Sequence, residues 1–112
     1  MKDYISYDDF SKLDLRIGTI IGGEAVPKST KLLDLEISIG DNEEDKKHII
    51  AGIGEGYSPT DLIGQQVLVI INLEPRSLMG RTSEGMILAA SGDSSPIVLN
   101  PEKTVPNGTI VK

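Results

Sequence analysis

Residues 67–90 read VLVIINLEPRSLMGRTSEGMILAA, which is two apolar segments joined by a polar one. The apolar run Val67–Ile71 predicts a strand buried on both faces or nearly so, and Gly85–Ala90 predicts the next strand. The residues between them are polar, include two arginines and are more numerous than a turn needs. We therefore interpret residues 72–84 as a loop between two core strands and as the leading candidate for a binding site.

Three segments before this stretch also predict strands. Asp14–Ile21 alternates polar and apolar residues up to a glycine, and the glycine pair that follows suits a bend or bulge, which predicts a long, sharply curved strand. Lys31–Gly40 places four large aliphatic side chains on one strand face, which we expect to be core. The acidic run Asp41–Asp45 is interpreted as a solvated hairpin tip, after which Lys47–Ile53 returns as a third strand.

Two short helices and two late extended pieces complete the pattern. Helices are expected over residues 6–13 and over Pro59–Ile63, where Gly64 stops the second one. Pro96–Leu99 and Thr109–Val111 predict short extended pieces. About five main strands with brief helices, in a chain of 112 residues, predict an all-β fold that closes into a small barrel.

The bulk properties predict one small domain. The chain has 112 residues and a mass of 12.0 kDa, so residues 1–112 are expected to form a single domain. Hydrophobic residues make up 38%, and no apolar run approaches the roughly 18 residues of a membrane span, which predicts a soluble chain with no membrane partner. Cysteine is absent and no basic-then-apolar leader precedes Tyr4, so a cytoplasmic location is the simplest expectation.

The net charge of −6 is unevenly distributed along the chain. Residues 1–61 contain thirteen acidic and seven basic residues, whereas residues 62–112 contain four of each. The net charge of −6 argues against a protein whose whole surface attracts nucleic acid. A local positive face around Arg76 and Arg81 stays compatible with these numbers.

No pattern supplies the machinery of an enzyme. The glycines of Gly52–Gly56 follow a predicted strand, but the next strand begins too soon for a dinucleotide-binding unit. The acidic tip lacks the glycine and the bidentate glutamate of a calcium loop. His48 is the only histidine, and Ser83 does not lie in a Gly-x-Ser-x-Gly elbow. We expect no catalytic residue, no metal site and no cofactor.

The residues that remain are suited to binding. Six cations and several amide and hydroxyl side chains can meet phosphate, ribose or base edges. The cations are Lys28, Lys31, Lys46, Lys47, Arg76 and Arg81, and the hydrogen-bonding side chains are Asn72, Ser77, Thr82 and Ser83. Only four aromatic residues are present, which favours recognition of folded RNA by shape and backbone over base stacking. The alternative is that the two arginines are ordinary solvated loop charges.

Five motifs in order resemble a known family, the tRNA-binding domain. This domain occurs at the C-terminus of many methionyl-tRNA synthetases, as a free-standing dimeric tRNA-binding protein, and in tyrosyl-synthetase and synthetase-associated cytokine relatives. The resemblance covers nearly the whole chain. The motifs lie within Phe10–Gly18, Lys31–Leu35, Ile49–Ile53, Asn72–Gly80 and Ser83–Ala89.

The resemblance implies a five-stranded OB-fold Greek-key barrel with short helices, spanning about residues 13–91, and a C-terminal dimerisation extension over about residues 92–112. It implies a non-catalytic module that grips the outer corner of tRNA by shape and backbone and forms a homodimer. Such a module would assist methionyl-tRNA synthetase as its C-terminal domain, beta subunit or free-standing accessory, with the catalytic chain as a partner. Carried onto this sequence, the RNA-binding residues are Lys31, Lys47, Asn72, Arg76, Ser83 and Met86.

Two departures leave an alternative open. The family often has a second basic residue where Ser77 stands and a serine where Ala51 stands, which implies weaker RNA binding here. A chaperone branch shares the fold, so a chaperone-like or protein-interaction OB-fold dimer is the alternative function. Apolar side chains in the tail support a homodimer in either case. They are Ile97, Val98, Leu99, Ile110 and Val111.

Overall fold

The computed structural model describes residues 1–93 and 95–112, which form ten strands, two short α-helices and one 3₁₀ turn. The helices are α1 (Tyr7–Ser11) and α2 (Pro59–Leu62), and the 3₁₀ turn is Glu43–Asp45. The strands are β1 (Leu15–Ala25), β2 (Leu33–Ser38), β3 (Lys46–Ala51), β4 (Gln66–Ile70), β5 (Arg76–Leu78), β6 (Arg81–Ser83), β7 (Met86–Ile87), β8 (Ala89–Ser91), β9 (Pro96–Val98) and β10 (Ile110–Val111).

Strand β1 is the longest element and bends around the core. Its first half pairs antiparallel with β4, and its second half pairs antiparallel with β2. The register shifts between Ile20 and Gly22, which places a bulge at the predicted glycine pair. The predicted long, curved strand is therefore confirmed, and it extends to Ala25.

The core lies inside the sheet that β1 organises. Leu33, Leu35 and Ile37 alternate along β2 and are at most 2% exposed, which confirms the predicted core face. Aliphatic side chains from the other barrel strands and from Leu62 of α2 fill the same cluster. On β4, Val67 and Val69 are fully buried and Leu68 is half-buried, as expected for a strand covered on both sides.

The sheet curls into a nearly closed barrel. Its strand order is β3-β2-β1-β4-β7, and β10 pairs with the start of β1. The outer edge of β3 then meets the segment before β7: the Glu84 amide donates to the His48 carbonyl at 2.8 Å, and the His48 amide donates to the Glu84 carboxylate at 2.9 Å. These bonds bring the two ends of the sheet together, and the predicted small five-stranded barrel is confirmed.

The segment between β4 and β7 differs from the prediction, because it contains a hairpin. Strands β5 and β6 pair through three residues each, and the turn residues Met79 and Gly80 have φ angles of 53° and 78°. The strand predicted at Gly85–Ala90 is also divided, since Leu88 donates its amide to Leu68 while β8 turns away to pair with β9. No alternation of polar and apolar residues in the sequence indicates the β5–β6 hairpin or the break between β7 and β8.

The short helices and the tail follow the predictions closely. Ser6 caps α1 by accepting from the Asp9 amide at 3.0 Å, and Gly64, with a φ of 93°, lies just beyond α2. In the tail, β9 pairs with β8 and β10 pairs with β1, so the C-terminal residues run along the barrel. Among the described residues, no helix has the length and apolar character to cross a membrane.

Candidate nucleic-acid interface

The predicted site residue Ser83 fixes the base of the β5–β6 hairpin. Its side chain is buried, with the residue 3% exposed. The hydroxyl accepts a hydrogen bond from the Ile50 amide and donates one to the Gly85 carbonyl, both at 3.0 Å. Because both bonds go to backbone, the structure gives Ser83 an anchoring contact with β3. Its direct contact with RNA stays a prediction.

Asn72 has a similar anchoring position at the end of β4. Its side-chain oxygen accepts from the Asp14 amide at 2.8 Å, and its side-chain nitrogen donates to the Lys12 carbonyl at 2.6 Å. The Ile71 amide donates to the Asp14 carbonyl at 3.0 Å. Asn72 therefore continues the β1–β4 ladder with its side chain while it stays exposed to solvent. Its predicted RNA contact is untested.

Arg76 and Met86 lie on either side of this anchored base. Arg76 opens β5, pairs with Ser83 across the hairpin and is exposed. Met86 lies in β7 opposite Ile70 and is half-buried. The hairpin places Arg76 at the protein surface, and β7 leaves part of Met86 accessible to solvent.

Gly85 sets how closely this segment approaches β4. A Cβ atom at Gly85 would lie 2.6 Å from the Ile70 carbonyl oxygen and 3.4 Å from Ile49 Cδ1. Real Cβ atoms do not approach a backbone oxygen this closely, so only glycine fits without movement. The packing therefore gives a physical reason for the glycine of the Ser-x-Gly-Met motif.

The two predicted lysines lie at different ends of the β2–β3 ladder. Lys47 is half-buried opposite Ile37 and precedes His48, whose backbone is bonded to Glu84, so it lies beside the hairpin base. Lys31 is exposed before β2, and its carbonyl accepts from the Gly54 amide at 2.7 Å. The separation is roughly 15–20 Å of extended chain. Lys31 and Lys47 thus each lie three residues along the chain from the Asp34–Ile50 pair that the hairpin contacts, at opposite ends of the ladder.

Acidic side chains on the outer face of β1, β2 and β3 form ion pairs with basic side chains of the same protein. Arg81 Nη1 contacts the Glu24 carboxylate at 2.7 Å and the Asp34 carboxylate at 2.9 Å. Hydrogen bonds to Glu24 and to Asp34 raise the pKa of Arg81 above its ordinary value. Asp34 also meets the His48 ring at 3.3 Å. The acidic side chains at this end of the face are therefore paired within the protein.

Lys46 neutralises the other end of the same face. Its ammonium group contacts the Glu43 carboxylate and lies 3.9 Å from that of Glu36. The hydrogen bond to Glu43 raises the pKa of Lys46 above its ordinary value. The sequence provided no signal for the ion pairs of Arg81, because its partners lie 57 and 47 residues away along the chain.

Three of the predicted site residues remain as cations available to a ligand. Within residues 1–93 and 95–112, Lys12, Arg16, Lys46 and Arg81 hold ion pairs with carboxylates, whereas Lys31, Lys47 and Arg76 hold none. In the same part of the chain, no three His, Asp or Glu side chains converge in a way that would hold a metal ion. The site is thus a set of cations and hydrogen-bonding groups arranged around an anchored hairpin.

Comparison with known sequences assigns this arrangement a family. A family model described as a putative tRNA binding domain matches residues 15–110. The chain is 49% identical over 111 residues to a methionine–tRNA ligase of Methanococcoides burtonii, in a match that covers 98% of this chain and 16% of the ligase. The chain therefore spans only a small part of the curated relatives that it matches.

Two solved structures of similar proteins share the fold over their full length. Chaperone CsaA of Bacillus anthracis strain Ames superposes with a TM-score of 0.87 at 35% identity, covering 98% of this chain and 100% of the chaperone. A MetRS-related protein of Pyrococcus horikoshii superposes with a TM-score of 0.88 at 23% identity, covering 99% of this chain and 100% of that protein. The second likeness supports the fold alone.

Proposed function

This chain belongs to the tRNA-binding domain family, and we propose that it is a non-catalytic module that binds the outer corner of tRNA by shape and backbone contacts. We further propose that it acts in the cytoplasm with methionyl-tRNA synthetase, as its C-terminal domain, beta subunit or free-standing accessory. The likeness to a methionine–tRNA ligase, which covers 98% of this chain, supports this partnership. In this proposal the aminoacylation chemistry belongs to the synthetase's catalytic chain.

The observation that carries the proposal is the distribution of paired and unpaired cations. Arg81 and Lys46 are bound by carboxylates of the β1–β2–β3 face, whereas Lys31, Lys47 and Arg76 are among the cations free of such pairs within the described residues. Unpaired surface cations are the groups that neutralise phosphates and release counterions on binding. A chain with a net charge of −6 therefore retains a local site for an anionic backbone.

The aromatic residues support recognition by shape. The Tyr57 hydroxyl accepts from the Val98 amide at 3.2 Å and its ring packs against the core, so it is not a free stacking platform. Tyr7 and Phe10 pack against each other on α1 with ring centroids 6.1 Å apart. Single-strand binders usually stack successive bases on aromatic rings, and this chain presents no comparable series within its described residues.

A titration of tRNA across a salt series tests the proposal. We expect a steep loss of affinity as salt rises, and Arg76→Ala should weaken binding to all tRNAs and reduce the salt slope by about one. The matched control is Lys2→Ala, which removes one positive charge from an exposed N-terminal residue outside the proposed interface. Absence of tRNA binding at low salt, or equal effects of the two variants, would contradict the proposal.

A second candidate function is a chaperone-like module that binds unfolded protein. The observation that favours it is the 35% identity and full coverage shared with chaperone CsaA. Its test is suppression of aggregation of an unfolded client protein, with tRNA added as a competitor. Suppression that is indifferent to both tRNA and Arg76→Ala would support this candidate, while competition by tRNA would support the RNA-binding surface.

We also propose that the chain forms a homodimer. Ile97, Leu99 and Ile110 of the tail are 53%, 40% and 60% exposed, which leaves apolar surface for a second copy to cover. Val98, in contrast, is 7% exposed and belongs to the core, so it is not available to a partner. Pairing two interfaces in one dimer would raise the apparent affinity for RNA that reaches both.

A further inference from the structure

We infer that Arg81 is a positioning residue: by holding the β5–β6 hairpin against the β1–β2–β3 face, it sets the direction in which Arg76 meets RNA. The part of this inference that concerns RNA binding rests on the proposed function. The part that concerns the position of the hairpin rests on the ion pairs of Arg81. No family motif identified Arg81, and the two carboxylates that bind it belong to strands remote in sequence.

The contacts define two fixed points on the hairpin. Glu24, Asp34 and Ile50 lie side by side in one row across β1, β2 and β3. Ser83 is bonded to the Ile50 amide at the edge of this row, and Arg81, two residues earlier, reaches Asp34 and Glu24 further along it. The hairpin is therefore held at its base by Ser83 and toward its tip by Arg81.

Apart from these bonds, the hairpin packs on β3, where Ile50 is 1% exposed although it shares the outer face with Asp34. Of its six strand residues only Ser83 is buried, and the two strands pair through three residues each. A two-stranded hairpin of this size is marginal by itself. Arg76 pairs with Ser83 and Arg81 pairs with Leu78, so the two arginines lie at opposite ends of the same ladder. Because Arg76 pairs with Ser83, a hairpin that pivots on Ser83 would leave Arg76 near its position but change the direction of its side chain.

The surroundings of Arg81 indicate that it acts through Arg76 and does not bind phosphate itself. Its side chain is 28% exposed, and its Nη1 atom is shared between two carboxylates, of which Asp34 is 15% exposed. A phosphate approaching this position would meet both negative charges. Arg76 has no such neighbours among the ion pairs of the described residues, so it is the arginine that a phosphate can reach.

A double-mutant cycle separates positioning from direct contact. Arg81→Met removes the ion pairs and keeps the aliphatic stem, and we expect it to weaken tRNA binding by about two- to tenfold, the range that ordering one mobile side chain costs. In the Arg76→Ala background the same change should cost much less, because the residue through which it acts is gone and only the change in charge remains. Losses that simply multiply would overturn the inference, as would Arg81→Met binding with unchanged affinity.

Two further measurements test directly whether Arg81 fixes the position of the hairpin. Arg81→Lys, which can still reach one carboxylate, should restore part of the affinity. Hydrogen exchange of the amides of residues 76–83, measured without RNA, should show faster exchange in Arg81→Met while the core strands stay protected. Unchanged exchange in the hairpin would overturn the inference whatever the RNA result. Arg76→Ala without effect on affinity would instead overturn the proposed interface, and exchange alone would then decide the role of Arg81 in fixing the hairpin.

Discussion

The buried hydroxyl of Ser83 joins two backbone segments, through the Ile50 amide and the Gly85 carbonyl. Ser83→Ala leaves a buried N–H without its acceptor, so we expect the free energy of unfolding to fall by about 1–3 kcal/mol. Ser77→Ala makes the same chemical change at an exposed position of the hairpin and should cost less than about 0.5 kcal/mol. Urea unfolding followed by circular dichroism measures both. Equal losses would show that the Ser83 bonds do not carry stability.

Gly85 and Gly52 form a natural pair for testing close packing. An added Cβ at Gly85 would lie 2.6 Å from the Ile70 carbonyl oxygen, whereas one at Gly52 would meet no atom within 4 Å. We expect Gly85→Ala to lower the free energy of unfolding by about 1–3 kcal/mol, because β4 or the segment before β7 must move. Gly52→Ala should be close to neutral. Thermal unfolding of the two variants provides the comparison, and a neutral Gly85→Ala would refute the packing argument.

The sequence predicted best those strands in which burial leaves an apolar pattern on neighbouring residues. Leu33, Leu35 and Ile37 alternate with polar residues and predicted β2 with its buried face. The continuous apolar run at Val67–Ile71 predicted β4. The β5–β6 hairpin carried no such pattern, since its residues are mostly exposed and its anchors lie far away along the chain. A hairpin held by remote ion pairs cannot be read from local sequence.

In the candidate site, too, the local sequence predicted some features and long-range contacts determined the others. Motif order predicted the segment that contains Asn72, Arg76 and Ser83, and the structure groups these residues around one anchored hairpin. What the motifs did not indicate is that Asn72 and Ser83 are hydrogen-bonded to backbone, or that Arg81 is paired with carboxylates. These are long-range contacts, and they exist only once the barrel has brought its strands together.

The turn of the hairpin gives a prediction about strain. Met79 has a φ of 53° and Gly80 a φ of 78°, so both turn residues are in the left-handed region. Methionine is unfavourable there, whereas Asn followed by Gly is the preferred pair for such two-residue turns. We expect Met79→Asn to stabilise the protein by about 0.5–1 kcal/mol, and Met79→Ala to give no gain. Denaturant midpoints measure the difference, and an equal response to both substitutions would contradict the strain argument.

The molecule has a net negative charge, but some of its acidic residues are neutralised by ion pairs within the protein. The thirteen acidic residues of the first 61 include those that bind Arg81 and Lys46, so part of the surplus is used within the β1–β2–β3 face. Among the cations without ion pairs in the described residues, Lys31 and Arg76 lie on segments that the family motifs identified. Opposite charges are thus paired on one face, while the net charge of −6 disfavours indiscriminate binding to nucleic acid.

The tail supplies the last prediction, which concerns assembly. Ile110 is 60% exposed and borders an apolar groove lined by Tyr7, Phe10 and Leu13. If a second copy covers this surface, Ile110→Lys should convert the dimer to a monomer without unfolding it, because the residue already faces solvent within the single chain. Ile63→Lys makes the same change at a residue 49% exposed on a different part of the molecule and should leave the dimer intact. Size-exclusion chromatography with light scattering measures the mass directly. A wild-type mass equal to one 12.0 kDa chain, or dissociation by both variants alike, would exclude the tail as the dimer interface.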